Sequence, residues 1–246
     1  MTWKIHHFNS VSSTMDVAKD LLSDESSERY IVLAKKQEQG RGRHQRSWSS
    51  PSGNFYGTLV ILINDLSKAP LFSYVAALAL YDTIKQLTGS NSPLTLKWPN
   101  DLLFDCKKMG GILLEVEATP KGLRLLIGVG VNLKAHPVDT PYAATNLADH
   151  HFHLVPEQVL EKLCVLFDHW RNILETEGFQ PLREEWLKVR NPAHDHLTLK
   201  GYEHGSNKDI TGAFHDLDEQ GCLVLSCEEQ GKKVLRKFRA GDVFFS

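Results

Sequence analysis

The chain has 246 residues, with 28 Lys and Arg against 30 Asp and Glu, and 41 % of its residues are hydrophobic. This balance is typical of an ordinary soluble protein with one large or two unequal domains. A net charge of −2 and a pI near 6.6 argue against a dedicated nucleic-acid binder, for which a domain pI above about 9 is expected. No stretch approaches the roughly 18 apolar residues of a membrane span, and the first residues lack the apolar core of a signal peptide. The sequence therefore predicts a cytoplasmic protein.

The first third of the chain predicts two strands around a polar loop. Ser13 and Asp16 have the spacing of a helix N-terminal cap, so a short helix is expected to follow. Residues 30–34 and 55–63 are rich in β-branched and aromatic side chains, which is typical of strands. The Gly- and Arg-containing loop between them is a candidate site. Apolar residues at helical spacing then predict a core helix over 72–87 that ends at a glycine.

The rest of the chain predicts a sheet, two helices and a small all-β module. The runs LTLKW, DLLF, GILLEVEA and LRLLIGVGVNL are separated by the turn segments WPND, CKKMGG and TPKG, which indicates an antiparallel or mixed sheet. A helix is expected from Pro156 and a second over 182–189. About five short alternating strands follow residues 191–195, which indicates a small barrel. The predicted fold class is therefore α+β, a mixed sheet with flanking helices, with domains at 1–192 and 193–246.

The polar loop carries a strong local positive charge. Residues 35–48 hold five Lys and Arg residues against one glutamate, so an anion is the natural partner. Gly40 and Gly42 alternate with Arg41 and Arg43, and glycine lets a backbone approach a ligand while guanidinium groups suit phosphate or carboxylate. A solvated basic loop is the alternative. Binding of single-stranded nucleic acid is disfavoured, because no aromatic residue is interleaved before the final tryptophan.

Three further positions are candidates for charge or base recognition. Asp101 follows the X-Pro turn in KWPND and could hold Mg2+, a cation that prefers carboxylate, phosphate and water oxygen; a plain turn is the alternative. Lys108 precedes two glycines, where an ammonium can reach a carboxylate and a phosphate together, although an ordinary hairpin lysine would look the same. Asn132 is a candidate reader of a purine edge or a residue that ends a strand.

Common nucleotide and metal signatures fail. GVGVNL lacks the third glycine of the dinucleotide fingerprint, and no GxxxxGK[ST] phosphate loop occurs. The four cysteines show no CxxC pair, which indicates free thiols. Cys222 and Cys227 could join His215 around a metal, but the apolar run GCLVLSC predicts a strand instead. The histidines in HHFH, at 150–153, are interpreted as a solvated turn.

The order of the motifs SST, GRGR with a following tryptophan, KWPND, KKMGGILLE and GVGVN closely resembles the biotin protein ligase family. The resemblance covers nearly the whole chain, because the terminal module is similar to the SH3-like C-terminal domain of that family. It implies a central domain distantly related in fold to class II aminoacyl-tRNA synthetases. Two positions depart from the family pattern: Gln45 replaces a glycine, and Met15 stands where many members have asparagine.

The resemblance also implies a role for each candidate residue. Biotin would be held through its ureido ring, its tail and the pocket floor by Ser13, Thr14, Gln37, Gly40, Arg41, Lys108, Gly111 and Leu113. Arg43 and Lys108 would be the catalytic pair that meets the carboxylate and the phosphates. Trp48 would close the loop over the adenylate, Asn132 would face adenine, and Asp101 would help to bind Mg2+.

The implied reaction uses biotin and ATP, forms biotinyl-5′-AMP and pyrophosphate, and transfers biotin to a lysine of a biotin carboxyl carrier protein. A lipoate ligase or octanoyltransferase is one alternative, but its likeness is weaker over GRGR and KWPND and it lacks the terminal module. A biotin-sensing repressor is the other. Only about a dozen residues precede SST, which leaves no room for a helix-turn-helix, so no DNA binding is expected. No membrane partner is expected either, and monomer and homodimer both stay open.

Overall fold

The computed structural model describes residues 2–22, 29–191, 196–199, 209–239 and 243–245. In the body of the chain, the strands and helices in order are β1 (Lys4–Phe8), α1 (Thr14–Asp20), β2 (Arg29–Ala34), β3 (Phe55–Ile63), α2 (Phe72–Thr88), β4 (Leu94–Lys97), β5 (Asp101–Phe104), β6 (Lys107–Thr119), β7 (Gly122–Val131), α3 (Pro156–Glu177) and α4 (Gln180–Val189). Short 3₁₀ turns lie at Arg43–Gln45, Leu66–Leu71 and Ala148–His150.

Seven of these strands form one mixed sheet in the order β1-β2-β3-β7-β6-β5-β4, which confirms the predicted sheet type. Only the β1–β2 pair is parallel; the other neighbours are antiparallel. Side chains alternate between the two faces of a strand, so Ile31 and Leu33 point to one core cluster, whereas Tyr30 and Val32 point to the other. Both faces of the sheet are therefore covered.

The helices cover the two faces unequally. Helix α2 buries most of its length and packs with α3 and α4 over one face, in the cluster that contains Ile31 and Leu33. It ends at Gly89, whose φ of 95° lies in the left-handed region that glycine adopts freely. Helix α1 is short and covers the opposite face, with Met15 and Ala18 buried beneath it. The smaller helix leaves part of that face open for a cleft.

Two features of the sheet differ from the sequence-based expectation. Strand β1 was not predicted, because KIHHF has little apolar alternation; its parallel pairing with β2 defines it. The CKKMGG segment was predicted to be a turn, but the chain reverses at Asp105 and Cys106, which have φ of 49° and 59°. Strand β6 therefore begins at Lys107 and places Lys108 on a strand.

Five strands follow the body, as predicted: β8 (His196–Leu199), β9 (Ile210–Leu217), β10 (Leu223–Glu229), β11 (Lys232–Phe238) and β12 (Val243–Phe245). They form a sheet in the order β11-β10-β9-β8-β12, which suits an SH3-like module, although the pairings among the described residues do not close a barrel. The predicted boundary at 192/193 lies outside the described residues.

The second sheet contacts the helical side of the body through a turn. Tyr74 on α2 donates its hydroxyl hydrogen to the carbonyl of Gly221 over 2.6 Å, and Trp98 donates its indole N–H to the Tyr74 oxygen over 3.0 Å. Arg183 on α4 donates to the carbonyl of Leu217 over 2.7 Å. None of the helices described is long and apolar enough to cross a membrane.

Candidate active site

A cleft lies on the α1 side of the seven-stranded sheet. Its floor is formed by β6 and β7, and its walls come from the start of α1, the basic loop and the KWPND turn. All the predicted site residues except Gly40 and Asn132 line it, namely Ser13, Thr14, Gln37, Arg41, Arg43, Trp48, Asp101, Lys108, Gly111 and Leu113. The fold thus gathers residues that are up to a hundred positions apart in the sequence.

One end of the cleft, the neutral end, is lined by Thr14 and Gln37, which are hydrogen-bonded to Ser50 and Thr58 outside the lining. The Gln37 side-chain oxygen accepts from the Thr14 backbone N–H at 2.8 Å and from the Thr14 hydroxyl at 3.0 Å. The Gln37 amide nitrogen donates to the Ser50 hydroxyl at 2.9 Å, and the Thr58 hydroxyl donates to the Thr14 hydroxyl at 2.9 Å. Thr14, Ser50 and Thr58 are buried, so these bonds fix the direction of each polar group.

Ser13 begins α1 at the same end. Its side-chain oxygen accepts from the backbone N–H of Met15 at 3.3 Å, which confirms the predicted helix cap, and its side chain is buried. Met15 packs against Gly128 on β7, where a Cβ atom would lie only 2.9 Å from the Met15 sulfur. A residue larger than glycine at position 128 would therefore clash with the Met15 side chain.

The other end, the charged end, is formed by Asp101, Lys108 and Lys97. The Lys108 ammonium lies 2.7 Å from one oxygen of Asp101, and the Lys97 ammonium lies 3.8 Å from the other. The side chains of Asp101 and Lys108 are only 13 % and 20 % exposed, which strengthens their attraction relative to a surface pair. Two ammonium groups around one carboxylate leave this end with a surplus of positive charge.

Two aromatic rings complete the surroundings of Lys108. Its ammonium lies 5.5 Å from the ring centroid of Trp48 and 5.1 Å from that of Tyr142, which are cation–π distances. The Lys108 backbone donates to the carbonyl of Ala143 at 2.8 Å and accepts from the N–H of Thr145 at 3.0 Å. The segment that carries Tyr142 is therefore fastened to Lys108 by both backbone and side chain.

Trp48 packs closely against the floor of the cleft because two glycines leave room for it. A Cβ atom on Gly130 would lie 2.7 Å from the indole, and one on Gly111 would lie 3.1 Å from it. Its indole nitrogen is buried without a hydrogen-bond partner among the described residues. Such an atom costs free energy unless a ligand or water satisfies it, which favours a ligand with an acceptor at this place.

Arg41 forms an ion pair with a carboxylate on α1. Its guanidinium lies 2.6 Å from an oxygen of Asp16 and 3.9 Å from an oxygen of Glu115 on β6. The hydrogen bond to Asp16 raises the pKa of Arg41 above its ordinary value, against the opposing effect of burial. Arg41 lines the cleft, but its charge is used within the protein.

Gly40 and Asn132 lie outside the lining of this cleft. Gly40 is required by close packing, because a Cβ atom there would lie 2.5 Å from both the Ser50 hydroxyl and the Trp48 carbonyl oxygen. Asn132 is buried at the end of β7 and donates its amide to the carbonyl of Thr145 at 3.1 Å. It lines a second cavity, which shares Ser47, Trp48, Lys108 and Tyr142 with the first.

The residues present offer little to hold a metal ion by themselves. Among the described residues, Asp101 is the only carboxylate that lines the cleft, and both of its oxygens face ammonium groups. The described residues contain no group of three His, Cys, Asp or Glu side chains that could hold a metal. A hard cation such as Mg2+ fits here only if phosphate and water oxygen atoms supply most of its ligands.

Sequence reasoning missed Thr58, Ser50 and Tyr142. Thr58 could have been found, because it is a hydroxyl in the middle of the buried apolar strand FYGTLVILI, where an isolated polar group needs a partner. Ser50 and Tyr142 lie in irregular segments with no period to indicate where their side chains point. Only the folded chain reveals these two residues.

Comparisons with known proteins show which family this chain resembles. The model of the Biotin/lipoate A/B protein ligase family matches residues 7–132, and the model of the Biotin protein ligase C terminal domain matches residues 204–246. A biotin--[acetyl-CoA-carboxylase] ligase of Paracoccus denitrificans is 36 % identical over 87 % of this chain and 89 % of its own length. The bifunctional ligase/repressor BirA of Bacillus subtilis is 31 % identical over 91 % of this chain and 70 % of its own length.

Solved structures share the fold along nearly the whole chain. The biotin protein ligase from Aquifex aeolicus in complex with biotin and ATP superposes with a TM-score of 0.83 and 22 % identity, covering 99 % of both chains. The biotin protein ligase from Leishmania major in complex with biotinyl-5-AMP superposes with a TM-score of 0.69 and 25 % identity, covering 98 % of this chain and 100 % of that one.

Proposed function

The chain belongs to the Biotin/lipoate A/B protein ligase family, and on that premise we propose that it activates biotin with ATP and transfers it to a lysine of a biotin carboxyl carrier protein. The observation that carries the proposal is the division of one cleft into a neutral, hydrogen-bonding end and a cationic end. Biotin has the same division, with a neutral ureido ring at one end and a carboxylate at the other.

The neutral end suits the ureido ring. A glutamine amide has two N–H donors, and the bond from Gln37 to Ser50 uses one of them, so the second can serve the urea carbonyl. Gln37 and Thr14 hold each other in one orientation, so little freedom is lost when the ligand binds. Ser13 adds a hydroxyl, and Gly111 and Leu113 line the path towards the charged end.

The charged end suits the reaction. The biotin carboxylate attacks the α-phosphorus of ATP, a new P–O bond forms, the bond to the β-phosphate oxygen breaks, and pyrophosphate leaves. Negative charge concentrates where Lys108 and Arg43 line the cleft, and positioned cations stabilise such a transition state. Asp101 holds Lys108 in place until the substrates arrive.

The nucleotide extends from Lys108 into the second cavity. Trp48 and Tyr142 line both cavities, and Asn132 lies in the second, where its amide can face the adenine. Asp101 would be the protein ligand of a Mg2+ ion bound with ATP, phosphate and water oxygen atoms would supply the other ligands, and the ion would add positive charge at the phosphates. For Asp101 to take this role, the phosphates must draw the ammonium group of Lys97 or Lys108 away from it, so that the cation occupies that place beside the carboxylate.

The second step needs an acceptor amine and no covalent enzyme intermediate. The ε-amine of the carrier lysine attacks the biotinyl carbonyl of the mixed anhydride, an amide bond forms, and AMP leaves with the carbonyl–phosphate oxygen bond broken. Until that encounter the anhydride must be kept from water. The loop from Gly40 to Trp48 is the natural cover, because Trp48 already lies over Gly111 and Gly130.

The proposal is tested by quench-flow with labelled ATP, comparing biotin with lipoate and omitting the acceptor. We expect a burst of about one pyrophosphate per active site with biotin, slow release afterwards, and rapid discharge when a carrier domain is added. Turnover with lipoate in place of biotin would favour a lipoate ligase of the same family. Steady pyrophosphate release without bound adenylate would rule out the trapped intermediate.

Location, domains and assembly belong to the same proposal. The described cysteines are free thiols and the reaction consumes ATP, which supports a reducing, cytoplasmic compartment. Residues 193–246 are proposed as the SH3-like domain, next to a catalytic domain at 1–192. Sedimentation velocity with and without biotin and MgATP distinguishes a monomer from a homodimer.

A further inference from the structure

Five charged side chains link the basic loop to β6 and to α1, the helix that begins at the neutral end of the cleft. They lie on three separate segments: Asp16 and Lys19 on α1, Arg41 on the loop, and Glu115 and Glu117 on β6. Arg41 pairs with Asp16 at 2.6 Å and approaches Glu115 at 3.9 Å. Lys19 pairs with Glu115 and Glu117, each at 2.7 Å. Within this cluster, Arg41 is the only member that belongs to the loop.

The loop is built so that fixing Arg41 also fixes Trp48. Arg41 and Ser47 form an isolated antiparallel bridge, in which the Gly42 N–H donates to the Arg46 carbonyl at 2.7 Å. The Trp48 N–H donates to the Gly40 carbonyl at 2.8 Å. These bonds tie the two arms of the loop together at its base, just before the indole that covers Gly111 and Gly130. Movement of Arg41 therefore carries Trp48 with it.

We propose that the Asp16–Arg41 pair is a latch that keeps the basic loop closed over the cleft, and that Asp16 is a positioning residue for retention of the adenylate. This inference rests on the proposed function. Asp16 follows directly after Thr14 and Met15 in the first turn of α1, so the latch links the loop to the helix that begins at the neutral end. In the latch, the Arg41 guanidinium pairs with a carboxylate of the protein rather than with the ligand.

The expected effect is modest. The side chains of Arg41 and Asp16 are 31 % and 39 % exposed, and ion pairs at such sites are weak and screened by salt. Breaking the pair should therefore speed opening of the loop roughly two- to fivefold. Such a weak ion pair suits a loop that must open again when the carrier protein arrives.

Lys19 provides a matched control. It lies one turn further along α1 and pairs with Glu115, which also approaches Arg41, yet it makes no ion pair with the described residues of the loop. Asp16→Asn breaks the latch, Asp16→Glu keeps the carboxylate, and Lys19→Gln removes a charge from the same cluster without touching the loop. A merely structural contribution to α1 would appear in Lys19→Gln as well.

The experiment measures loss of enzyme-bound biotinyl-5′-AMP after the burst, with no acceptor present, at low and at high salt. For Asp16→Asn we expect a rate of adenylate loss roughly two- to fivefold above wild type at low salt, and little difference between them at high salt. Asp16→Glu and Lys19→Gln should match wild type. An unchanged rate in Asp16→Asn, or an equal increase in Lys19→Gln, would overturn the latch.

A second readout needs no substrate. Limited trypsin digestion with mass spectrometry follows cleavage after Arg46, an exposed residue of the loop. Faster cleavage in Asp16→Asn than in Lys19→Gln supports the latch, whether or not the wild-type protein forms adenylate. Failure of the wild-type protein to form adenylate would overturn the proposed function but not the latch. Equal cleavage in the two variants overturns the latch.

Discussion

At the neutral end of the cleft, Thr14 and Gln37 hydrogen-bond each other and two further hydroxyls, whereas at the charged end Lys108 faces one carboxylate and two aromatic rings. The first arrangement orients its polar groups by hydrogen bonds within the protein and uses no charged side chain. The second holds a cation among partners that an anionic substrate can replace. Recognition is thus built into geometry at one end and into electrostatics at the other, and the two ends should respond differently to mutation.

The largest effect is expected at the charged end. Lys108→Ala removes the ammonium that neutralises the reacting carboxylate and phosphate, and should slow adenylate formation about 10²-fold or more. Biotin-dependent pyrophosphate exchange measures it. Lys107→Ala is the matched control, because Lys107 is the exposed neighbour on the same strand. Exchange within a few-fold of wild type in Lys108→Ala would show that the lysine is not catalytic.

The next largest effect is expected at the neutral end. Gln37→Leu leaves the Thr14 hydroxyl and backbone N–H without their acceptor, a loss of about 1–3 kcal/mol, and should raise the KM for biotin roughly ten- to hundredfold while changing kcat less. Steady-state kinetics with varied biotin measures the split. Gln39→Leu is the control, since Gln39 is exposed on the same segment. An equal fall in kcat would mean that the two ends are not separable.

Asp101→Asn separates two roles at the charged end. The change keeps the size of the side chain but removes its charge, so the Mg2+ concentration for half-maximal adenylation should rise roughly five- to tenfold, more than the KM for biotin rises. Titration of Mg2+ measures it. An unchanged Mg2+ curve with slower adenylation would leave Asp101 only as the partner that holds Lys108.

The smallest effect is expected at Tyr142. Tyr142→Leu removes one of the two rings beside the Lys108 ammonium, and a cation–π contact contributes about 0.5–1 kcal/mol, so adenylation should slow roughly two- to fivefold. Tyr142→Phe keeps the ring and should retain the wild-type rate. If the phenylalanine variant is as slow as the leucine variant, the hydroxyl rather than the ring is responsible.

Many of the strands and helices can be predicted from the local sequence pattern. The strand over Phe55–Ile63 and the core helix from Phe72 begin where the apolar pattern indicates, and the third helix begins at the predicted Pro156. The cap at Ser13 is likewise a local event, made by a hydroxyl and an N–H two residues away. Such features depend on neighbours in the chain, so the sequence by itself determines them.

The sequence also indicated most of the residues that line the cleft, because the order of its motifs resembles that of a known family. It could not determine which charges are used within the protein. Arg41 and Arg43 alternate with glycines in one motif, yet Arg41 turns to Asp16 on α1. Gln45 stands at a φ of 58°, in the left-handed region, which explains why glycine is common at that position in the family pattern.

Only the tertiary structure decided the partners of Lys108 and Gln37. Tyr142 reaches Lys108 and Ser50 reaches Gln37 from irregular segments, and Thr58 reaches Thr14, the partner of Gln37, from strand β3. No local period records such contacts, because they are set by the order of strands in the sheet and by the path of irregular loops. Hydrogen bonds and ion pairs act over a few ångströms, so their partners are fixed only when the chain has packed.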